Sequence, residues 1–383
     1  MGFWRRCTPS TSACAGVCVV ALLLVALACC PTRARGAAPA VYVLGDSQAD
    51  VGNNNYLPAT LPMYKANYPH NGVDYPGGKP TGRFSNGYNF VDYLADSLGV
   101  ASPPPYLSIS NTSVYLRGVN FSSGGSGVSN LTNMGQCISF DEQIDQHYST
   151  VHATLVEQLG PRQASTHLAE SLFSVAIGGN DIINRVLLSQ LVGTQDQFIS
   201  SLANSLKRQL QVCMYTQMTN IQSVQLNRMY DLGTRRLLFV GAAPLGCCLM
   251  LREQSPTKEC HAEANYLSAR YNNAVTMLLR DMSAMHPGMS YAFFDTYTAL
   301  LQYIRQPEAY GYTEVKAACC GLGDNNAMFQ CTPASSYCAN RTSYMFWDIV
   351  HPTEITAKRL TKVAFDGSPP LVYPINISQL TAS

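Results

Sequence analysis

Three side chains from opposite ends of this 383-residue chain have the types needed for nucleophilic chemistry: Ser47, Asp348 and His351. A serine hydroxyl is a weak nucleophile at neutral pH and needs a general base to take its proton. Histidine suits that task because its unperturbed pKa of ~6.5 lets it accept and return a proton near neutrality. It works best when a carboxylate fixes its tautomer and supports the imidazolium that forms. Asp348-Ile349-Val350-His351 supplies such a pair, and a separation of three places both side chains on one face of a helical turn. Ser47 closes the run Leu44-Gly45-Asp46-Ser47. A strand leading through a small residue into a loop or helix start puts the serine among unpaired backbone N–H groups. The same residues also read as an N-cap serine with a turn aspartate, and Asp348 with His351 as an isolated pair at a helix start. The other histidines have no carboxylate so placed. His147, His152, His167 and His286 lie in or beside helical patterns and read as surface residues, His70 is in a loop, and His261 adjoins Cys260 near a helix start.

Stepping outward, the elements that must position these groups are five short apolar runs at residues 41–44, 116–121, 172–177, 237–240 and 291–294. Each is nearly continuous rather than alternating, as expected of strands covered on both faces of a parallel sheet. Helical periodicity fills the intervals at 89–98, 195–232 and 262–285, so strands alternate with helices in a βαβ arrangement. Stretches 53–83 and 101–105 are rich in Gly and Pro and read as loops. Two strand ends carry glycines that permit close backbone approach to a ligand: Asn120-Phe121-Ser122-Ser123-Gly124-Gly125-Ser126-Gly127 and Gly178-Gly179-Asn180-Asp181. Backbone N–H groups there, and the Asn180 amide, are of the kind that stabilises a developing oxyanion. Ordinary turn chemistry uses the same residue types. No repeat or low-complexity linker divides the chain, so residues 37–383 read as one domain.

Residues 1–36 read as a leader. Arg5 and Arg6 precede an apolar run, and Ala34-Arg35-Gly36 resembles a small-x-small cleavage site. The alternative is an uncleaved signal anchor, since the run is just long enough to span a bilayer. Both readings place the body in the secretory pathway: the extracellular space or cell wall after cleavage, the Golgi lumen if anchored. Without the leader's four arginines, acidic residues slightly outnumber basic ones. This gives no handle for nucleic acid. Nine cysteines remain, clustered late in the chain, which suggests disulfides in an oxidising compartment and at least one unpaired thiol. No C-x-x-C pair supports a zinc site. Sequons occur at Asn111, Asn120, Asn130, Asn340 and Asn376.

Gly45-Asp46-Ser47-Gln48-Ala49-Asp50-Val51-Gly52-Asn53-Asn54-Asn55 resembles the first sequence block of plant GDSL esterases/lipases, in the SGNH hydrolase superfamily. The second block resembles 120–127, the third 178–181 and the last 347–352. Lys79-Pro80-Thr81-Gly82-Arg83-Phe84-Ser85-Asn86-Gly87, Gly241-Ala242-Ala243-Pro244-Leu245-Gly246-Cys247 and Cys319-Cys320-Gly321 add to the likeness. Gln48 departs from it, standing where the family usually has Leu. The resemblance implies a flavodoxin-like three-layer α/β/α sandwich with a five-stranded parallel sheet. It also implies two-step acyl transfer without metal or cofactor, with Ser47 as nucleophile and Asp348 and His351 as acid–base pair. The oxyanion hole would be Ser47, Gly124 (or its neighbour Gly125) and Asn180. Cys247 with Cys260 is then the first expected disulfide, and Cys331 with Cys338 the second. A glycan on Asn120 would crowd this site, which leaves Asn111, Asn130, Asn340 and Asn376 as acceptors.

The usual nucleophile elbow G-x-S-x-G is absent, which argues against the α/β-hydrolase fold. Among substrates, acetyl esters on a cell-wall polysaccharide such as xylan are favoured by the 22 tyrosines of a lumenal protein, whose faces can bind sugars as well as fill a core. An acyl lipid or small ester is the alternative enzyme substrate. A non-catalytic carbohydrate-binding protein on the same fold is the reading from another class.

Overall fold

Runs of apolar and aromatic residues become parallel strands where helices cover both faces. This happens at β1 (Val41–Gly45), β2 (Gly118–Asn120), β3 (Leu172–Ala176), β4 (Arg236–Val240) and β5 (Ser290–Phe294). The structure, a computed structural model, describes residues 1–2, 38–188, 193–210 and 229–382. The strands run in the order β2-β1-β3-β4-β5, all parallel, with Val41 opposite both Gly118 and Leu172. A sixth strand, β6 (Val372–Pro374), joins β5 antiparallel and extends the five-stranded expectation. Its short sequence ends in proline, which lacks an N–H and fits an edge strand.

Among the described residues the helices of eight or more residues are α1 (Phe90–Ser97), α2 (Ser149–Leu159), α3 (Pro161–Glu170), α4 (Gly179–Leu187), α5 (Gln195–Leu210), α6 (Ala262–Met285), α7 (Thr296–Arg305) and α8 (Glu354–Asp366). Successive strand side chains point to opposite faces. Tyr42, Phe173 and Phe239 therefore pack against α2–α6, through residues such as Leu155, Leu206 and Tyr271. Val41, Val43 and Leu238 pack against α1, α7 and α8. The result is a three-layer α/β/α sandwich with the flavodoxin-like strand order, whose ligand crevice lies where β1 and β3 diverge.

Several boundaries differ from expectation. Leu116 and Arg117 belong to a 3-10 turn, so β2 begins at Gly118. Of the helix expected over 195–232, the described residues show Gln195–Leu210. Residues 211–228 lie outside the described residues, and 229–233 form a turn. His147 and His167 are half-buried: His147 stacks on Tyr106 with ring centres 4.4 Å apart, and His167 lies 3.1 Å from the Tyr42 hydroxyl. Ala38–Ser383 cluster as one unit. The expected leader lies outside the described residues except for Met1 and Gly2. Among the described residues no helix is long and apolar enough to cross a membrane.

Among the described residues the disulfides are Cys247–Cys260, Cys319–Cys338 and Cys320–Cys331, which corrects the expected Cys331–Cys338 pair. Cys320 and Gly321 pair antiparallel with Tyr337 and Ser336, and this register brings Cys319 against Cys338, whose N–H donates to the Cys319 carbonyl at 2.7 Å. Cys331 is left to meet Cys320. Cys137 and Cys248 carry free thiols, and Cys213 lies outside the described residues.

Candidate active site

The end of β1 is shaped by its contact with β3. Gly45 has φ 147°, and a Cβ there would lie 2.2 Å from the Ala176 carbonyl oxygen, so only glycine fits. The Gln143 side chain grips the same residue from both sides, accepting from Gly45 N–H at 2.8 Å and donating to its carbonyl at 2.9 Å. The chain then makes one turn, with Ala49 and Asp50 N–H donating to the Asp46 carbonyl. The turn does not continue into an α-helix, and a 3-10 turn begins only at Asn53, so of the loop and the helix start expected for Ser47 the structure shows the loop.

Ser47 Oγ lies 2.7 Å from His351 Nε2. On the other side of the ring, Nδ1 lies 2.9 and 2.8 Å from the two Asp348 oxygens. Asp348 and His351 are buried, 2% and 7% exposed. Their segment is not helical. Asp348 Oδ1 accepts from the N–H of Val350 at 2.8 Å and of His351 at 2.7 Å, an aspartate turn that brings the two side chains together. The turn is held from both flanks. Cys319 and Cys320 N–H donate to the carbonyls of Phe346 and Trp347 at 3.0 and 2.7 Å, and Met250 N–H donates to Ile349 at 2.9 Å.

The expected oxyanion donors fall differently. Gly124 N–H donates to the Asp50 carboxylate at 3.0 Å, so here it is already engaged. The next residue, Gly125, has φ 92°, and its N–H makes no hydrogen bond among the described residues. The same holds for Ser47 N–H. Asn180 lies in the first turn of α4, and its amide donates one hydrogen to the Ser126 carbonyl at 2.9 Å, leaving the second for a ligand.

The family described as GDSL-like Lipase/Acylhydrolase matches residues 41–363, from β1 to the last turns of α8. The chain belongs to this family. Like other members it is a serine ester hydrolase with the SGNH fold. It is 38% identical to GDSL esterase/lipase At5g55050 of Arabidopsis thaliana, covering 90% of each chain. It is 33% identical to GDSL esterase/lipase 7 of the same plant, covering 95% of this chain and 98% of the relative. Among solved structures, an acetylxylan esterase of Geobacillus stearothermophilus aligns with a TM-score of 0.36 at 12% identity, covering 86% and 94% of the two chains. A phospholipase A1 of Streptomyces albidoflavus aligns with 0.33 at 15% identity, covering 85% and 97%.

Much of what positions this GDSL site escaped the sequence reading. Asp50 accepts from Gly52 and Asn53 N–H at 2.7 and 2.8 Å as well as from Gly124. Asn53 donates to the carbonyls of Asn120 and Ser122, and Asn54 to those of Tyr64 and Gly124. Asp181 accepts from Val128 and Ser129 N–H and the Thr132 hydroxyl. The only sequence signal was the density of short polar residues after Ser47, above all the consecutive Asn53, Asn54 and Asn55. Burial pushes the Asp46 carboxyl up to about 7, against the Gln48 N–H and His351. Burial likewise pushes Asp50 up to about 6 despite its N–H donors, and raises Asp181.

A cavity opens beside Ser47, lined by Ile177, Ile183, Val240, Leu300, Ile304 and Leu360 among others. Small residues beneath it, including Ser174, Ala176 and Gly241, leave the space unfilled. Of the sequon asparagines, Asn120 is fully buried and donates to the Ala49 carbonyl. Asn111, Asn130 and Asn340 are exposed, and Asn376 is half-buried. Among the described residues no group of three or more His, Cys, Asp or Glu side chains is placed to hold a metal.

Proposed function

We propose that this family member hydrolyses esters of medium-length acyl chains through a covalent acyl-enzyme on Ser47. His351 Nε2 takes the hydroxyl proton as Ser47 Oγ attacks the ester carbonyl carbon. The tetrahedral oxyanion is met by the N–H groups of Ser47 and Gly125 and the free hydrogen of the Asn180 amide. Losing one such donor typically slows catalysis ~10²–10³-fold. His351 returns the proton to the departing alcohol. It then deprotonates a water that attacks the acyl carbon, freeing the acid and restoring Ser47. Asp348 holds the ring and supports its positive charge throughout.

The observation that carries the substrate reading is the apolar cavity against Ser47. It crosses the carboxyl ends of β1, β3 and β4 toward α7, which follows β5. Three strand spacings of ~4.8 Å make that roughly 14 Å. It encloses about 130 Å³, close to the ~150 Å³ of an engineered apolar void that takes up benzene, a six-carbon guest. An acetyl group would leave most of it empty. This favours the acyl-lipid or small-ester alternative over the acetylated polysaccharide expected from the sequence. The three disulfides and the apolar leader support a place in the secretory pathway.

The test is kcat/KM on soluble p-nitrophenyl esters from acetate to decanoate, with acetate release from acetylated xylan alongside. The expected optimum is at six to eight carbons, with no acetate from xylan. An optimum at acetate together with release from xylan restores the polysaccharide reading.

A further inference from the structure

Six large apolar side chains stand exposed near the catalytic groups: Tyr56, Leu61, Met63, Leu131, Met134 and Phe329, with Leu131 78% and Met134 71% exposed. Single exposed apolar residues are ordinary, whereas a contiguous group marks an interaction surface. These come from three segments that hydrogen bonds join. Thr60 Oγ1 and Leu61 N–H donate to the Gln136 backbone and side-chain oxygens, both at 2.9 Å. Gln330 Nε2 donates to the Met63 carbonyl at 3.0 Å. The group also adjoins the oxyanion donors. Asn133 Nδ2 donates to the Gly125 carbonyl at 2.8 Å, and Asn184, one turn of α4 beyond Asn180, donates to Asn133 Oδ1 at 3.1 Å.

The second observation is charge. Residues 51–64, 118–140 and 325–338 contain no Asp, Glu, Lys, Arg or His. Three uncharged stretches, far apart in sequence, therefore meet beside one site. A surface that bound anionic lipid would carry clustered lysine or arginine, and this one has none. We propose that this rim seats the enzyme on an electrically neutral lipid–water interface, so that an acyl ester passes from the interface to Ser47. What the interface supplies rests on the acyl-ester reading above. The docking also requires Asn130, next to Leu131, to be free of glycan. In the structure its amide donates to Asp141 at 2.6 Å, and the Thr132 hydroxyl of the same sequon donates to Asp181 at 2.7 Å.

The experiment is vesicle flotation of the protein produced in a eukaryotic secretory host and carrying Ser47→Ala, which leaves the lipid intact. Phosphatidylcholine vesicles are compared with vesicles containing phosphatidylserine, at low and high salt. The expected result is flotation with both, insensitive to salt. Adding Leu131→Asp and Met134→Asp should lower the floated fraction at least tenfold. In the active background the same pair should leave hydrolysis of dissolved p-nitrophenyl butyrate within twofold and slow emulsified ester at least tenfold. Protein remaining with the soluble fraction overturns the proposal. So does unchanged flotation of the double variant, flotation only with anionic vesicles at low salt, or a glycan on Asn130. An acetate optimum on soluble esters combined with salt-insensitive flotation would remove the acyl-chain reading and leave the docking intact.

Discussion

The ring of Phe84 lies 4.8 Å from that of His351, centre to centre, with 32° between their planes. Phe84 is buried, and its ring also fills the space a Cβ on Gly124 would need. The preceding residue is fixed by a two-pronged ion pair, Arg83 Nε and Nη2 donating to the two Asp92 oxygens at 2.7 Å each. The Lys79–Gly87 motif thus carries an aromatic plate against the proposed catalytic base, His351.

The first prediction concerns that plate. Phe84→Leu keeps apolar bulk and loses the ring face, an interaction typically worth ~0.5–1.5 kcal/mol. If the contact orients His351, kcat should fall roughly two- to tenfold with KM little changed, and Phe84→Tyr should restore it. A change in Tm with kcat intact would reduce Phe84 to a core residue.

Removing a member of the triad tests the proposed roles directly. Ser47→Ala and His351→Ala should each lower kcat by several orders of magnitude while leaving thermal unfolding nearly unchanged. Ser47 and His351 act as one unit, so the double variant should be little worse than either single one. Near-native turnover by Ser47→Ala would end the assignment.

The convergence of Ser47, Asp348 and His351 was legible because each sits at a place the chain's local rules mark: the end of an apolar strand, and an aspartate three residues before a histidine. The parallel sheet was legible for the same reason, since doubly covered strands read as continuous apolar runs. The helical turn expected at Asp348 was wrong in form and right in consequence, because an aspartate turn also brings positions i and i+3 together. What could not be read was long-range hydrogen bonding. Gly124 and Gly125 are equivalent as sequence. Only the arrival of Asp50, 74 positions earlier, determines which amide is spent internally and which is left free. The Cys247–Cys260 pair was legible, whereas the expected Cys331–Cys338 pair failed for the same reason, since the register of 320–321 against 336–337 decides it.

A third prediction follows from the buried carboxyl groups. In the unfolded chain Asp46 ionises at the ordinary aspartate value, 3.8, and in the folded protein only near 7. Between those values the folded state holds a proton that the unfolded state has released. The stabilisation from the protonated form is therefore complete below about 3.8 and is lost as pH rises through about 7. Asp50 behaves alike, with its upper limit near 6. At ~1.4 kcal/mol per unit the combined effect is on the order of a few kcal/mol. Tm should decline from pH 5 to pH 8, and less steeply in Asp46→Asn, which keeps an oxygen to accept from Gln48 N–H. Equal slopes in the two proteins would show that Asp46 is not the group responsible.

The disulfides should support catalysis as well as stability. Cys319 and Cys320 hold the backbone carbonyls just before Asp348, and each is tied to a second cysteine across loops of 19 and 11 residues. Bridges closing loops of this size contribute about 3 kcal/mol each. Cys319→Ser with Cys338→Ser should lower Tm. It should also lower kcat at temperatures where the protein remains folded, because the Asp348–His351 turn loses one flank. Intact kcat at 25 °C in a folded variant would confine the bridge to stability.

The length of the cavity beside Ser47 is set by its far wall, which gives the last prediction. Ile304, in the final turn of α7, lines the cavity together with Leu300 and is half-buried. Ile304→Trp adds bulk at that end and leaves Ser47, His351 and the oxyanion donors untouched. A chain that reached the far wall would lose the burial of two or three methylenes, each worth ~0.8 kcal/mol. kcat/KM for octanoate should therefore fall roughly 15- to 50-fold, while that for acetate, which never reaches Ile304, stays within twofold. The ratio of the two rates on one preparation cancels any error in active enzyme concentration. If octanoate and acetate fall together, the substitution has disturbed the site. If neither changes, the acyl chain does not occupy this cavity, and the apolar space beside Ser47 has another use.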